Sequence, residues 1–560
     1  MTATGSASQA SEKTRIRSET PVLIVGGGPT GLAASLTLSH LGVPSMLVNR
    51  YPGTLEHPKA VAIMQRTSEL LRQWGAEDEV RRRGVPREFC ARIVWTTTLS
   101  GEELGRTETV EPDDRAPEPQ SPVTGLRCPQ NITESALRAR AETHEVADLH
   151  YGFELTGLEQ DEDGVTATIV PHEGGASSTV RAEYLIGADG NDSTVRNAVG
   201  IGRDGEADMG HFVNIFHRAG LGPLVRDRPA WSYAVITPHV AGSFVTINGD
   251  DIWLFHVNLA PGESVEDFTD ERCVETIREA SGVEDLDVEI MSIKSWIMGA
   301  ELSTAFRDRR VLLTGDAAHR TTPDGGVGMN TGLHSAHNLA WKVGAVVSGW
   351  AGPDLLDTYE AERRAVAEAN VAYSARRGSG MMKMVEAVRA GDLDTVRAGI
   401  AARPPGGRQG MDLGFRYQDG AVASDGTTPP PVGNPVADYV QDGCPGGRAP
   451  HLWVQRKGER VSTLDAFGGG FVLLTGPDGA AWRAAAEQAA APRRVTIEVL
   501  SVGEAGDLQA PAGRFEALYG VESDGAVLVR PDGFVGWRSQ RAEGMPADDL
   551  AGALATILKL

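Results

Sequence analysis

Apolar residues recur along the chain with two periods, one helical and one alternating. Residues 21–25 (PVLIV) are a short, fully apolar run, as a buried parallel strand requires. Residues 31–41 then space their apolar positions helically and 44–49 (PSMLVN) repeat the strand pattern, so the chain opens strand, helix, strand. Helical patterns follow over 66–83, and an irregular stretch rich in Pro, Glu and Asp over 111–122. Short strands separated by turns fill 149–189, among them GVTATIV and AEYLIGAD. Between about 205 and 295 the alternation of SFVTI and DIWLFHVNL predicts a mostly antiparallel sheet separate from the opening unit.

The segment 311–343, VLLTGDAAHRTTPDGGVGMNTGLHSAHNLAWKV, passes from a buried strand through a glycine-bearing loop into a helix. Its apolar residues Leu333, Ala336, Leu339, Ala340, Val343 and Val346 have helical spacing, with Asn330 or Thr331 expected as N-cap. A second helical pattern runs to about 377, and 401–450, with its Pro and Gly, reads as a long irregular connection. From 451 the order is strand, helix, strand, short helix, two strands joined by Pro531-Asp532-Gly533, and a last helix, a separate small α/β unit.

A chain of 560 residues is too long for one core and implies two or three domains. The net charge of −23, from 76 acidic and 53 basic residues without a long basic run, argues against a nucleic-acid partner. Cys90, Cys128, Cys273 and Cys444 are scattered, so neither a disulfide framework nor a metal site is expected. Residues 1–19 are polar and read as a disordered tail, and no apolar run approaches the roughly 20 residues of a membrane span. A cytoplasmic protein without membrane partners is the expectation, and the sequence suits a monomer and a homodimer equally.

Three glycine-bearing strand ends carry the chemistry. Gly26, Gly28 and Gly31 of GGGPTG make G-x-G-x-x-G between a strand and a helix, the dinucleotide fingerprint. Gly26 allows the tight turn, Gly28 lets backbone approach a pyrophosphate, and Gly31 lets helix pack on strand. The second strand ends in Asn49-Arg50, where an acid for the ribose is usual, so the site loses part of its selectivity against phosphate. GADGNDSTVR at 187–196 is the second strand end and GDAAHRTTPDGGVGMNTG the third.

With HPKAVAIMQRTSELLRQWG, CPQNITESAL, HNLAWK and YEAERR, these motifs resemble the flavoprotein aromatic hydroxylases of the para-hydroxybenzoate hydroxylase type. Members that act on phenols and aromatic polyketides and carry a thioredoxin-like tail are the most similar. The resemblance implies an α/β protein: a Rossmann-like FAD-binding domain (20–204 and 296–400), an inserted mixed or antiparallel sheet for substrate (205–295 with part of 90–125), a linker (401–450), and a C-terminal thioredoxin-like domain (451–560). It also implies non-covalent FAD, NADPH or NADH as reductant, O₂ as co-substrate and a small aromatic substrate.

By the same resemblance, Gly26, Gly28, Pro29, Thr30, Gly31, Asn49 and Arg50 would hold the ADP half of FAD. Lys59, in place of the usual Arg, would face the pyrophosphate, and Asp189 would lie near it. Gln130 and Asp316 would contact the ribityl chain. Pro323, Gly326, Gly328, Met329 and Asn330 would border the flavin, where backbone amides at a helix start stabilise the negative charge of the reduced ring. Thr322-Pro323 replaces the family's Pro-Pro, Val327 its Gln and Ser335 its Asp; Val61 stands where phenol-specific relatives tend to have His. The tail lacks redox cysteines, since PDGAAW follows FVLLTG where they would fall, and Asp524-Gly525 replaces the usual proline.

No residue declares itself as the catalytic one. His57, His256, His319 and Pro323 are candidates, with Trp253, Trp296, Phe244 and Phe255 as aromatic residues that could meet substrate or fill the core. His334 and His337 are expected to be structural. The reading is an FAD- and NAD(P)H-dependent hydroxylase of a phenolic or quinonoid compound, a multi-ring aromatic polyketide of secondary metabolism being favoured. Baeyer-Villiger oxygenation of a polycyclic ketone and a flavin dehydrogenase that does not use O₂ productively are the alternatives.

Overall fold

The computed structural model describes residues 16–108, 119–237, 240–259, 262–402 and 407–560. Residues 1–15 of the expected N-terminal tail and 111–118 of the irregular stretch lie outside these residues. The first sheet has at its centre the strands Val311–Leu313, Ser178–Gly187, Glu19–Val25, Ser45–Asn49 and Ala147–Tyr151, all parallel. The apolar runs at 22–25, 46–48 and 311–313 are buried on both faces, as a parallel sheet covered by helices demands. Helices Pro29–His40 and Gly328–Val347 pack against each other over it.

Register makes the three glycine-bearing loops neighbours. Val25 stands opposite Gly187 and Gly187 opposite Leu313, so GGGPTG, ADGNDS and GDAAHR leave one sheet edge side by side. Ligands bind at this carboxyl edge of parallel strands in doubly wound folds.

The second sheet has eight strands, and its centre is antiparallel through Glu289–Ser303, Arg203–Arg218, Ile252–Asn258, Ala241–Thr246 and Ser232–Ile236, which last pairs in parallel with Arg92–Thr96. Strands Arg203–Arg218 and Glu289–Ser303 run continuously through positions 204/205 and 295/296. Helix Asp270–Ser281 buries Cys273, Ile277 and Ala280 in the cluster that also contains Phe244, Trp253 and Phe255. The third sheet, from 453 to 539, places Phe471–Thr475 between parallel Ile497–Gly503 and antiparallel Ala526–Val529, the mixed order of a thioredoxin-like unit.

Three expectations are corrected. The helix expected to be capped by Asn330 or Thr331 begins at Gly328 with Val327 as N-cap. Asn330 is pulled inward instead: its Oδ1 accepts from the Met64 amide at 2.9 Å and its Nδ2 donates to the Ala62 and Gly326 carbonyls at 3.0 and 2.7 Å. The helix expected to stop near 377 extends from Asp357 to Arg389, passing Gly378, which lies so close to Thr322 that a Cβ there would be 3.0 Å from its methyl group. A small residue for close packing reads in sequence as a helix breaker. Finally, the hairpin Trp453–Arg456 and Glu459–Ser462 has too many charged residues to show a strand pattern.

Candidate active site

Gly26 sits at φ +111°, and a Cβ there would lie 2.2 Å from the Ala188 carbonyl oxygen. Only glycine lets the first and second strand ends approach this closely. A Cβ on Gly31 would lie 1.9 Å from the Gly26 carbonyl oxygen, so Gly31 serves helix–loop packing and is set back from any ligand. Gly28 differs: a Cβ there would meet nothing within 4 Å, because the residue faces open space. Asn49 accepts a hydrogen bond from the Gly27 amide at 3.1 Å, and the Tyr151 hydroxyl donates to the Gly27 carbonyl at 3.0 Å. The amide that replaces the usual acid is thus partly spent on holding the loop.

The open space is a cavity of about 2080 Å³ reaching from these loops to the second sheet. Gly26, Gly28, Pro29, Thr30, Asn49, Arg50, Lys59, Gln130, Asp189, Asp316, Pro323, Gly326, Gly328 and Met329 all line it. Gly31 and Asn330 do not, since one packs on Gly26 and the other is turned into the bonds described above. Asp316 is exposed only in the sense that it faces the cavity; the surrounding protein pushes its carboxyl up from the ordinary carboxylate range, while the cations of Lys59, Arg203 and Arg320 pull it down. Burial likewise raises Asp189, whose two oxygens accept from the Ser193 hydroxyl (2.6 Å) and the Val195 amide (3.0 Å), so much of its capacity already serves the turn.

Alternation along the strands decides what the second sheet shows the cavity. Trp95, Ala234, Ser243, His256, Asn214 and Lys294 are consecutive cross-strand partners, and all six line it. The next row in the same face brings Asn258, Phe212 and Trp296 into line, the last two stacked at 4.5 Å with planes 11° apart. Side chains one residue out of step point the other way. Phe244, Trp253 and Phe255 are therefore core residues, fully buried behind the sheet, and do not reach the cavity.

Among the candidate histidines, His57 and His256 line the cavity and His319 does not. His319 is fully buried, its Nε2 3.2 Å from the Ser335 hydroxyl, beside Arg363. His334 and His337 lie on the helix outside the cavity, His337 buried and His334 half-buried against the Thr67 hydroxyl at 3.0 Å. Asn214, Phe212, Phe216, Ser292 and Lys294 were missed by sequence reading. The signal was present as residue parity relative to His256, but which face met the cavity is a tertiary fact.

The residues fit an extended anionic dinucleotide. Ligand pockets commonly hold roughly 300–1,000 Å³, so this one has room for two ligands end to end. Gly28 leaves a cradle that a side chain would fill. Lys59 and Arg50 supply positive charge, and the start of the 20-residue helix Gly328–Val347 presents unbonded amides and the positive end of its dipole.

Comparison with known proteins agrees with this geometry. Residues 19–374 match the FAD binding domain family and 442–559 the aromatic-ring hydroxylase C-terminal family. Aklavinone 12-hydroxylase RdmE of Streptomyces purpurascens is 38% identical, with 96% of this chain and 99% of that protein aligned. Tetracenomycin A2 monooxygenase-dioxygenase of Streptomyces glaucescens is 37% identical over 96% of this chain and 97% of that protein. The crystal structure of the flavin-dependent monooxygenase PieE with FAD and substrate superposes with a TM-score of 0.87 at 34% identity, covering 98% and 100% of the two chains. This chain therefore belongs to the FAD-dependent aromatic-ring hydroxylases, monooxygenases that use NAD(P)H and O₂.

Proposed function

We propose that this enzyme oxygenates a fused-ring phenol or quinone, an aromatic polyketide, in the half of the cavity bounded by the second sheet. The observation that carries the reading is the composition of that face. Trp95, Phe212 and Trp296 offer flat apolar surface to a planar ring system, and no acid stands in the row from Trp95 to Lys294. Val61, at the cavity wall, supplies no base either. A small phenol would have little there to ionise it, whereas a ring hydroxyl conjugated with carbonyls is already acidified and brings its own binding area. By their names the two relatives above act on aklavinone and on tetracenomycin A2, and a further relative, 40% identical, is described as a "Putative polyketide hydroxylase".

FAD, when bound, accepts hydride from the nicotinamide and activates O₂. The chain binds, orients and excludes water. Gly26, Gly28, Pro29, Thr30, Asn49 and Arg50 would hold the ADP half, with Lys59 and Asp189 near the pyrophosphate. Gln130 and Asp316 would face the ribityl side. Pro323, Gly326, Gly328 and Met329 would border the ring, and Asn330 fixes the loop that carries them. None of the four cysteines forms a disulfide, which suits a reducing cytoplasm, and no helix among the described residues is long and apolar enough to cross a membrane.

The test is turnover under ¹⁸O₂ with single-ring phenols and hydroxylated anthraquinones or naphthacenequinones. One labelled oxygen in the multi-ring product per nicotinamide consumed is expected. Labelled product from single-ring phenols alone would overturn the substrate class.

A further inference from the structure

The polar row across the second sheet contains a hydrogen-bond arrangement whose direction follows from donor chemistry. Asn214 Oδ1 lies 2.7 Å from the indole Nε1 of Trp296 and 2.6 Å from Nδ1 of His256. An indole nitrogen only donates, so the amide atom it meets is the oxygen, and the two possible orientations of Asn214 reduce to one. That oxygen only accepts. His256 therefore carries its hydrogen on Nδ1, the tautomer less favoured by a free histidine side chain, and its Nε2 is a bare lone pair. Burial keeps the ring neutral, holding its pKa down at about 4, and the nearby His57 ring would oppose a second positive charge there.

Nε2 of His256 meets no group among the described residues, and it is not among the atoms sealed in the interior without a partner. It opens on the cavity that the ring lines. The neighbouring His57 is arranged differently: its Nδ1 faces the Ser292 hydroxyl at 2.7 Å and its Nε2 is sealed off. Of the two histidines among the described residues that line the cavity, His256 is the one that presents a free acceptor. It lies between Ser243 and Asn214 in the row, with Lys294 next beyond Asn214.

We propose that His256 Nε2 is the acceptor for a hydroxyl hydrogen of the aromatic substrate, and that Asn214 and Trp296 are positioning residues that hold its tautomer. The proposal rests on the reading of the substrate as a fused-ring phenol. A ring this reluctant to protonate orients the hydroxyl without removing its proton. It directs which ring position faces the reacting end of the cavity, and it rejects an ether, which has no hydrogen to give.

Two measurements on the holoenzyme test this. With ¹⁵N-labelled histidine, the resonances lost in His256→Phe identify residue 256, and in wild type they are expected to show Nδ1 protonated and Nε2 bare. Trp296→Phe, which frees Asn214 to turn over, is expected to shift that population toward the Nε2-protonated form. Equilibrium dialysis then compares 2-hydroxyanthraquinone with 2-methoxyanthraquinone. Wild type is expected to prefer the hydroxyl compound by about tenfold, the scale of one hydrogen bond, and His256→Phe to bind both alike.

An Nε2-protonated ring in wild type overturns the proposal, and so does a hydroxyl preference that survives in His256→Phe. Should His256→Phe fail to fold, an unchanged preference in Trp296→Phe overturns it equally. If wild type binds neither compound, the fused-ring reading fails together with the proposal built on it. The tautomer result stays separate from that outcome.

Discussion

Arg530 and Glu362 meet end on in the interior, Nη1 donating to Oε1 at 2.8 Å and Nη2 to Oε2 at 2.9 Å. Both side chains are fully buried, although one belongs to the C-terminal unit and the other to the helix Asp357–Arg389. Lys342 Nζ lies 2.8 Å from the same carboxylate, and Asp532 completes the group. A bidentate pair of this kind fixes orientation as well as distance. It pins the third sheet to the helix that borders the first.

Replacing Glu362 by Ala leaves Arg530 and Lys342 buried beside a cavity, with Asp532 as the remaining acid. Breaking a buried pair from one side costs about 3–5 kcal/mol. Denaturant unfolding is expected to show that loss, and replacement of Glu362, Lys342 and Arg530 together by apolar residues is expected to recover much of it. An unchanged midpoint in Glu362→Ala would mean that the network contributes nothing.

Gly28→Val separates folding from cofactor binding. Since a Cβ at this position meets nothing in the protein, the variant is expected to fold with wild-type far-ultraviolet circular dichroism. It should nevertheless purify colourless, because the side chain occupies the space in which the pyrophosphate would approach the backbone. A yellow Gly28→Val protein would show that the dinucleotide runs elsewhere. Wild type is expected to release all its FAD on acid precipitation, as a non-covalent cofactor does.

Much of this arrangement was legible in the sequence because it depends on local rules. The three strand–glycine–helix transitions, the alternating second sheet and the cysteine-free tail all follow from period, turn chemistry and residue type. What escaped was set by contacts distant in sequence. Asn330 looks like a helix cap until Met64 and Ala62 are brought against it. His319 looks like a flavin neighbour until Ser335 and Arg363 enclose it. Phe255 and His256 are adjacent in the chain, yet one is core and the other lines the cavity. No pattern within the strand says which face that will be.

Asp316→Ala removes an acceptor that the cavity holds among Lys59, Arg203 and Arg320. A charged hydrogen bond is worth about 1.5–3 kcal/mol, so FAD should bind roughly ten- to a hundredfold more weakly. Titration of apoprotein by flavin fluorescence measures this directly. Equal affinity in the variant would place the ribityl chain away from Asp316.

Acid should destabilise the protein at a pH where carboxylates are still ionised. Burial holds His57, His217, His256 and His451 at about 4 and His319 and His337 at about 3, each below the ordinary value of 6.5. Between those values and 6.5 the unfolded chain binds more protons than the folded one, so stability rises with pH across the window. The contribution is complete above 6.5 and is lost as pH falls toward 4. A fall in Tm of at least about 5 °C between pH 7 and 5 is expected from several such groups. A flat profile over that range would mean that these rings protonate in the folded protein without cost.

The C-terminal unit has no cysteine where a thioredoxin would carry its pair, so it lacks dithiol chemistry, and it is tied to the rest of the chain by its contacts. Those contacts are extensive. Trp341, Ala345 and Leu355 share one buried cluster with Phe471, Leu473 and Trp482, and the indole of Trp341 meets the Phe471 ring edge on at 6.1 Å. Arg66 donates to the Asp532 carbonyl at 2.7 Å, a direct tie from the helix Gln65–Gln73 to the Pro531-Asp532-Gly533 turn. Deleting residues 451–560 would expose the apolar cluster and leave Glu362 without Arg530. Truncated chain is therefore expected to aggregate or to bind a hydrophobic dye strongly, while Cys444→Ser is expected to leave turnover unchanged under both reducing and oxidising conditions. Size-exclusion chromatography and dye binding of the truncated and full-length proteins, with turnover of Cys444→Ser in the presence and absence of reductant, decide the matter. A truncated protein that elutes as a soluble holoenzyme with unaltered Tm would show that the interface is dispensable, and that the unit serves something other than the stability of the flavin half.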